Sequence, residues 1–314
     1  MLVTGSTGFI GRPLCRSLVE AGAIVRGASR KGGIHPVHGV QRVHIPDPLD
    51  RRAVRAAAVG ADAVVHLAAR VHVMSETAAD PLTEFRQANA DATEVLAAEA
   101  AAAGVRTMVL ASSVKAVGEQ NSAPWTEEVP AAPTDPYGIS KRDAERALAS
   151  MASRFRDGAT VLRLPLVYGP GMQGNMLRLF TLVYRRLPLP FASVANRRSM
   201  LFVENLVAAV RRMLERPSPG IDTYFVTDGR DLSLPELLTM IGTALGRPAR
   251  VLAVPPHWLK LALPEGVAER LLGSLTVSSA KLARTTGYQP PWSVEAGLAA
   301  TAAWYLGSRR KASA

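Results

Sequence analysis

A single cysteine, Cys15, stands in 314 residues, so no internal disulfide can form. It falls on the apolar face of the first expected helix, where a buried thiol is the ordinary reading and a nucleophile is not. No window holds the roughly eighteen consecutive apolar residues that a membrane span requires, and the amino terminus lacks a charged stretch followed by a cleavage site. A soluble, cytoplasmic chain is expected. The six histidines form no metal constellation, because His35, His38 and His44 lack a cysteine or carboxylate set at ligand spacing, and no metal is expected. Acidic residues are outnumbered, leaving a formal charge of +11. The excess is scattered (Arg51, Arg52, Arg55; Arg185, Arg186; Arg309, Arg310, Lys311) without interleaved aromatics or a nucleic-acid motif. No nucleic-acid partner is expected, and a polyanionic small molecule explains the sign equally well.

What the chain does have begins at its first residues. Leu2-Val3-Thr4-Gly5-Ser6-Thr7-Gly8-Phe9-Ile10-Gly11 reads as a short apolar strand, a glycine-rich turn and a helix start. Such glycines allow a tight turn, the approach of a diphosphate to the backbone, and close packing of helix on strand, while the helix amino terminus faces the anion. Only about three residues precede Thr4, short for a central strand, so a natural start slightly upstream is expected. Further strands are expected at 24–28, 41–45, 63–68, 107–111 and 160–164. They alternate with helices at 50–59, at 82–103 with a left-handed cap at Gly104, and around residue 137. This alternation implies an α/β fold, a doubly wound parallel sheet with its ligand crevice at the carboxyl ends of the strands. The length suits one nucleotide-binding domain and a smaller second lobe.

Tyr137-Gly-Ile-Ser-Lys141 places a phenol and an ammonium four residues apart, hence on one helix face. The lysine charge can then favour the phenolate and make Tyr137 a proton donor or acceptor near neutral pH, which suits alcohol–ketone interconversion.

Thr4-Gly5-x-x-Gly8-Phe9-Ile10-Gly11, Asp47-Pro48, His66-Leu67-Ala68-Ala69, Asn89, Ser112-Ser113, Tyr137-x-x-x-Lys141 and Arg163-x-x-x-x-Tyr168-Gly169-Pro170 occur in this order. Across essentially its whole length the chain therefore resembles the extended short-chain dehydrogenases/reductases, and within them the sugar-nucleotide epimerases, dehydratases and ketoreductases. The resemblance implies a Rossmann-type sheet with a smaller, mostly helical carboxyl-terminal substrate lobe. Residues 1–170 would bind NAD(P), with 198–228 returning to that domain; 171–197 and 229–308 would form the sugar-nucleotide lobe, and 309–314 a flexible tail. It implies Ser113 as a hydrogen-bond donor to the reacting oxygen, Tyr137 as the acid/base, and Lys141 as the group that holds the nicotinamide ribose and lowers the phenol pKa. Gly5, Thr7, Gly8, Phe9 and Ile10 would meet the cofactor diphosphate, Asp47 and Pro48 the adenine, and Leu67, Ala68 and Ala69 the walls of the cleft. A homodimer is common among such relatives.

Departures from the pattern narrow the chemistry. Dehydratases carry Asp and Glu after the catalytic hydroxyl residue, whereas this chain has Val114 and Lys115. Dehydration is therefore not expected. Leu166 stands where typical UDP-galactose epimerases have an asparagine; Asn175 either takes over the diphosphate contact or serves as a helix cap before Met176. The stretches Ser112 to Glu119 and Asn196 to Ser199 resemble a bacterial surface-polysaccharide branch of UDP-hexose 4-epimerases and UDP-4-keto-6-deoxy-N-acetylglucosamine reductases. There Arg198 would clamp the UDP diphosphate. Lys115 reads either as a sugar contact or as a solvated side chain, and Arg70 and His72 either as substrate contacts or as loop residues. The second strand runs into Ser29-Arg30-Lys31 with no acid for a ribose 2′-hydroxyl, which favours NADP(H), with Arg30 on the 2′-phosphate, over NAD(H). The expected activity is reduction of a UDP-4-keto-6-deoxyhexosamine at C4 from NADPH. The alternative is UDP-hexose or UDP-N-acetylhexosamine 4-epimerisation, and a remoter one is an NADP-binding module without catalysis.

Overall fold

The computed structural model describes residues 1–71, 80–262 and 264–313; His72 lies outside the described residues. The strands are β1 (Leu2–Thr4), β2 (Arg26–Ser29), β3 (Gln41–His44), β4 (Ala63–His66), β5 (Thr107–Ser113), β6 (Ala159–Leu164), β7 (Leu166–Tyr168), β8 (Pro188–Leu189), β9 (Met200–Phe202), β10 (Ile221–Phe225) and β11 (Arg250–Val251). Seven of them form one sheet in the order β10-β6-β5-β4-β1-β2-β3, every neighbouring pair parallel. From β1 the chain steps outward to β2 and β3, then returns to β4 and proceeds the other way. The direction reverses between β1 and β4, which is where an open parallel sheet forms its ligand crevice.

Side-chain alternation explains why both faces must be covered. Val64 and Val65, Met108 and Val109, and Val161 and Leu162 are consecutive buried pairs whose members enter different cores. One core packs under helices α2 (Arg51–Ala58), α4 (Ala92–Ala102) and α5 (Pro136–Met151), through Val54, Leu96 and Leu148. The other packs under α1 (Gly11–Glu20) and α7 (Val203–Glu215), through Leu14, Cys15, Leu206 and Val210. Strands buried on both faces read as apolar runs rather than as alternating ones. Cys15 is fully buried, and burial pushes its thiol up to about 12, which removes it from nucleophilic chemistry at neutral pH.

The expected helix at 82–103 is α3 (Pro81–Arg86) running through a π turn at Gln87–Asp91 into α4, and Gly104 ends it with φ +81°. A third core joins α6 (Gly174–Tyr184), α8 (Leu234–Ala244), Leu259 of α9 (Pro256–Ala262) and the last helix. α8 starts with a capping box: Ser233 caps the Glu236 amide and Glu236 accepts from the Ser233 amide. α10 (Glu265–Leu272) follows.

Two boundaries differ from the sequence expectation. Leu282 of α11 (Ala280–Thr286) and Tyr288 bury in the sheet-side core with Leu206 and Tyr224, because α11 packs along the edge strand β10. Residues 309–313, expected as a flexible tail, continue α12 (Val294–Ser313), whose Arg309 lies over the Tyr184 ring.

Candidate active site

The carboxyl ends of β1, β2, β3, β4 and β5 lie side by side, so a single sheet edge carries Gly5 to Ile10, Arg30, Asp47 with Pro48, Leu67 to Ala69, and Ser113. The glycine turn leaves β1 with Gly5 at φ +65°, and the Gly8 amide donates to the Gly5 carbonyl at 3.0 Å. A Cβ on Gly11 would stand 2.2 Å from the Gly5 oxygen, and one on Gly5 would stand 2.8 Å from the Ala68 nitrogen. Only glycine at these positions lets the turn close on α1 and lets the β4 loop approach it. Ser6, fully buried, donates to the Ala28 carbonyl at 3.1 Å and ties the turn to β2. Thr7, Phe9 and Ile10 are half-buried and Gly8 is open to solvent; Arg12 caps the Thr7 carbonyl at 2.8 Å. A turn of this shape at a helix amino terminus fits a diphosphate.

A buried polar pair closes the floor of the crevice. Thr4 Oγ1 lies 2.6 Å from His66 Nδ1 and accepts from the Ala68 amide at 3.2 Å. The threonine hydroxyl and the imidazole Nδ1 thus share one hydrogen bond, whose donor is set by the ring tautomer. Burial, helped by the Lys141 charge, pushes His66 down to about 3, so it is a neutral structural imidazole.

At the adenosine end, Arg30 is exposed just beyond β2. Arg42 holds the loop that follows: its guanidinium donates to Ser29 Oγ at 3.0 Å, to the Ile34 carbonyl at 2.8 Å and to the Lys31 carbonyl. Ser29 is thereby engaged within the protein. Asp47 is exposed and accepts from the Leu49 amide at 2.9 Å, with Pro48 exposed beside it.

The chemistry-bearing groups meet where β5 ends and α5 begins. Asp135 caps α5 by accepting from the Gly138 amide at 2.9 Å, and Pro136 occupies the first turn, where its missing N–H costs nothing. Tyr137 is therefore held at the helix start, half-buried, with its ring edge on Phe85 at 6.0 Å between centroids. Burial pushes its phenol up to about 12, a hydrogen bond from Ser113 pulls the other way, and the Asp135 charge adds to the rise. Lys141 is 2% exposed; its Nζ donates to the Ala111 carbonyl of β5 at 2.6 Å, and burial lowers it to about 8, partly offset by Glu145. The structure thus brings Ser113, Tyr137 and Lys141 together but reverses the expected sign on the phenol. Desolvation of a buried hydroxyl outweighs an ammonium that is bound to a carbonyl instead.

Lys115 is paired within the protein and not a free solvated side chain. Its Nζ pairs with Asp135 at 2.8 Å, and its amide donates to Ser113 Oγ at 3.2 Å. Burial pushes Asp135 up, but bonds from Lys115 and the Gly138 amide outweigh it and hold the carboxyl below its ordinary value. A Cβ on Gly138 would stand 2.4 Å from the Lys115 carbonyl, so α5 and the turn after Ser113 touch backbone to backbone.

Two further groups position the site: Glu145, which the sequence reading did not single out, and Asn89, which it named without a role. Glu145, 8% exposed, accepts from Ser112 Oγ at 2.5 Å and from Arg163 in a forked pair whose shorter contact is 2.7 Å, with Arg163 over the Phe225 ring. It fixes α5 against β5 and β6. Asn89, in the π turn and 1% exposed, bonds both Arg70 backbone groups (2.8 and 3.0 Å) and Ser140 Oγ (2.9 Å), tying the β4 loop to α5. Glu145 lies four residues beyond Lys141 on the same helix face, and Arg163 is the one charge in a wholly buried strand; together these were the legible signal.

In the second lobe, Asn175 is exposed within the first turn of α6, whose N-cap position is Gln173, so the capping role considered for Asn175 does not apply. Arg198 is half-buried, bridges Leu232 and Leu275 through its backbone, and donates to the Gly273 carbonyl at 3.1 Å; burial lowers its pKa. Phe9 of the glycine turn sits 3.8 Å from where a Cβ on Gly171 would stand, which joins the turn to the start of this lobe. Among the described residues no cluster of His, Cys, Asp and Glu could hold a metal, and no helix is long and apolar enough to cross a membrane.

The sequence pattern of the NAD dependent epimerase/dehydratase family matches residues 1–226. A UDP-glucose 4-epimerase from Vibrio cholerae is 34% identical, covering 98% of this chain and 95% of the relative. A dTDP-glucose 4,6-dehydratase from Streptomyces griseus is 30% identical over 97% of this chain and 93% of its own. Among solved structures, a UDP-glucose 4-epimerase from Thermotoga maritima superposes with a TM-score of 0.82 at 22% identity, over 98% of this chain and 99% of that one.

Proposed function

We propose that this chain, which belongs to the NAD dependent epimerase/dehydratase family, is an oxidoreductase working at C4 of a UDP-sugar, and that its net reaction is reduction of a 4-keto-6-deoxy-N-acetylhexosamine bound to UDP. The observation that carries this reading is the meeting of Ser113, Tyr137 and Lys141 beside the glycine turn, with Val114 and Lys115 where dehydration would need an acid and a base. Nicotinamide chemistry, when the cofactor is bound, supplies or accepts hydride at the sugar carbon. The residues present fit that cofactor: the Gly5, Thr7, Gly8, Phe9 and Ile10 turn for the diphosphate, Leu67, Ala68 and Ala69 along the cleft, and Asp47, Pro48 and Arg30 toward the adenosine end.

Ser113 donates to the C4 oxygen, and Tyr137 moves a proton at that same atom. A phenol held at about 12 is protonated at neutral pH, so giving its proton to a developing alkoxide is downhill, and that is the step of ketone reduction. Lys141 steadies the ribose and lends positive charge along the same helix face. Asn175 and Arg198 serve the UDP diphosphate from the second lobe, while Lys115 acts through Asp135 on the start of α5. Exposed Arg30 beyond β2, in a strand end that reads Ala28-Ser29-Arg30-Lys31 without an acid, favours NADPH over NADH.

The second reading, 4-epimerisation of a UDP-hexose through a transient 4-keto sugar, is favoured by the 34% identical relative. Purified protein separates the two. Consumption of NADPH with the 4-keto sugar supports reduction, whereas interconversion of UDP-glucose and UDP-galactose on tightly retained NAD, with no NADPH consumed, refutes it in favour of epimerisation.

A further inference from the structure

One end of the second lobe has a surface of unusual chemistry. Residues 158–203 and 237–264 contain no aspartate or glutamate, and within them 184–192 and 244–264 contain no serine, threonine, asparagine or glutamine either. These two inner segments meet at β8 and β11, where Arg250 lies opposite Pro188 and Val251 opposite Leu189. The Leu252 amide donates to the Leu189 carbonyl at 2.8 Å, and the Ala192 amide to the Leu252 carbonyl at 3.0 Å. From the joined segments large apolar side chains stand in solvent: Trp258 is 61% exposed, Leu261 82%, Leu252 50% and Leu187 42%. The helix carrying Trp258 and Leu261 is anchored from its other side by Leu259, which is 5% exposed in the lobe core.

Cations are interspersed with them. Arg185, Arg186, Arg247, Arg250 and Lys260 are all exposed. Arg247 stacks 4.1 Å over the Tyr184 ring and donates to the Tyr184 carbonyl, and Arg309 reaches the same ring from the last helix. An interface with another protein ordinarily carries about ten directional hydrogen bonds, and these segments supply few side chains to make them besides the cations. A lipid surface needs none: indole and leucine side chains enter at headgroup level while arginine and lysine meet phosphate.

We propose that this face, Arg185–Leu189 together with Arg247–Leu261, docks the protein peripherally on a membrane surface rich in anionic phospholipid. The proposal stands on the surface alone and not on the reaction at Tyr137.

The test is co-sedimentation of the full chain with phosphatidylcholine vesicles, with and without about a third phosphatidylglycerol, at physiological salt. Binding to the anionic vesicles alone is expected. Each cation lost from such a surface weakens partitioning about fivefold, so the Arg185→Glu, Arg186→Glu, Arg250→Glu variant should fall by about a hundredfold or more. Trp258→Ser with Leu261→Ser should fall by about tenfold, through loss of buried apolar area. Arg154→Glu with Arg156→Glu, exposed positions elsewhere, should stay within about threefold of the wild type. Unchanged melting temperatures establish that the variants fold. The proposal is overturned if the wild type ignores anionic vesicles, if the Arg154 and Arg156 variant loses as much as the face variant, or if the Trp258 and Leu261 variant binds fully. Retention on immobilised polyglutamate with no vesicle binding would assign the face to an acidic protein and equally overturn it.

Discussion

Replacing Lys141 by methionine should make the protein more stable while abolishing its turnover. The ammonium is 2% exposed, and burial lowers its pKa from 10.5 to about 8. Below pH 8 the charged amine is therefore disfavoured in the fold by about 3 kcal/mol, at about 1.4 kcal/mol per pKa unit. Methionine matches the stem but cannot donate to Ala111, which leaves that carbonyl unbonded from this side at a cost of about 1–2 kcal/mol. The net expected gain is about 1–2 kcal/mol at pH 7, read as a higher urea midpoint at constant slope. Its pH dependence has a definite sign. Between about pH 8 and 10.5 the unfolded lysine binds more protons than the folded one, so the wild type gains stability relative to the variant as pH rises and the difference shrinks. Comparing the two proteins cancels the groups that Lys141 does not touch, and His66, which its charge also lowers, titrates well below this window. A variant less stable than the wild type at pH 7, or a difference constant up to pH 10, would refute the argument that Lys141 is held at a cost in stability for its charge.

Breaking the Glu145–Arg163 pair by Glu145→Ala should cost about 3–5 kcal/mol, because it leaves a buried guanidinium and Ser112 unpaired, with a large fall in melting temperature as the readout. Gly11→Ala should abolish dinucleotide binding in a direct fluorescence titration, since its Cβ would lie 2.2 Å from the Gly5 oxygen and would force the turn open. Tyr137→Phe should lower kcat by about a hundredfold to ten-thousandfold and leave the affinity for the nicotinamide dinucleotide within about twofold, measured by turnover and titration on the same preparation.

The sheet was legible because its signals are local. An apolar strand followed by the glycine turn, apolar runs at 63–65 and 108–111, and a glycine closing the long helix each report a conformation from neighbouring residues. Strand ends moved by one or two residues, because hydrogen bonds to the adjacent strand set them: β5 continues to Ser113, where Leu164 still pairs with it. Less legible were features that depend on residues far apart in the chain. α11 joins the sheet core only because β10 returns beside β6, and nothing in Leu282 or Tyr288 alone says which core will take them. Asn175 missed its cap because the helix started two residues earlier, at Gly174 with φ +68°.

The pairing of Tyr137 with Lys141 shows why side-chain spacing and electrostatic sign are separate questions. Four residues on a helix put the two groups on one face, and that holds here. The sign of the phenol shift depends on what else each group touches, and at this site both are desolvated while the ammonium is turned to a β5 carbonyl and Asp135 adds negative charge near the phenol. Asp135 cannot simply be dispensed with, since the same carboxylate caps α5 and anchors Lys115 beside Ser113. The helix start that aims the tyrosine therefore also raises its pKa. A phenol fixed in this way keeps its proton at neutral pH; the raised pKa makes it a weaker acid and its phenolate a stronger base, so the shift governs how much phenolate is present to accept a proton from an alcohol and not which way the exchange at C4 runs.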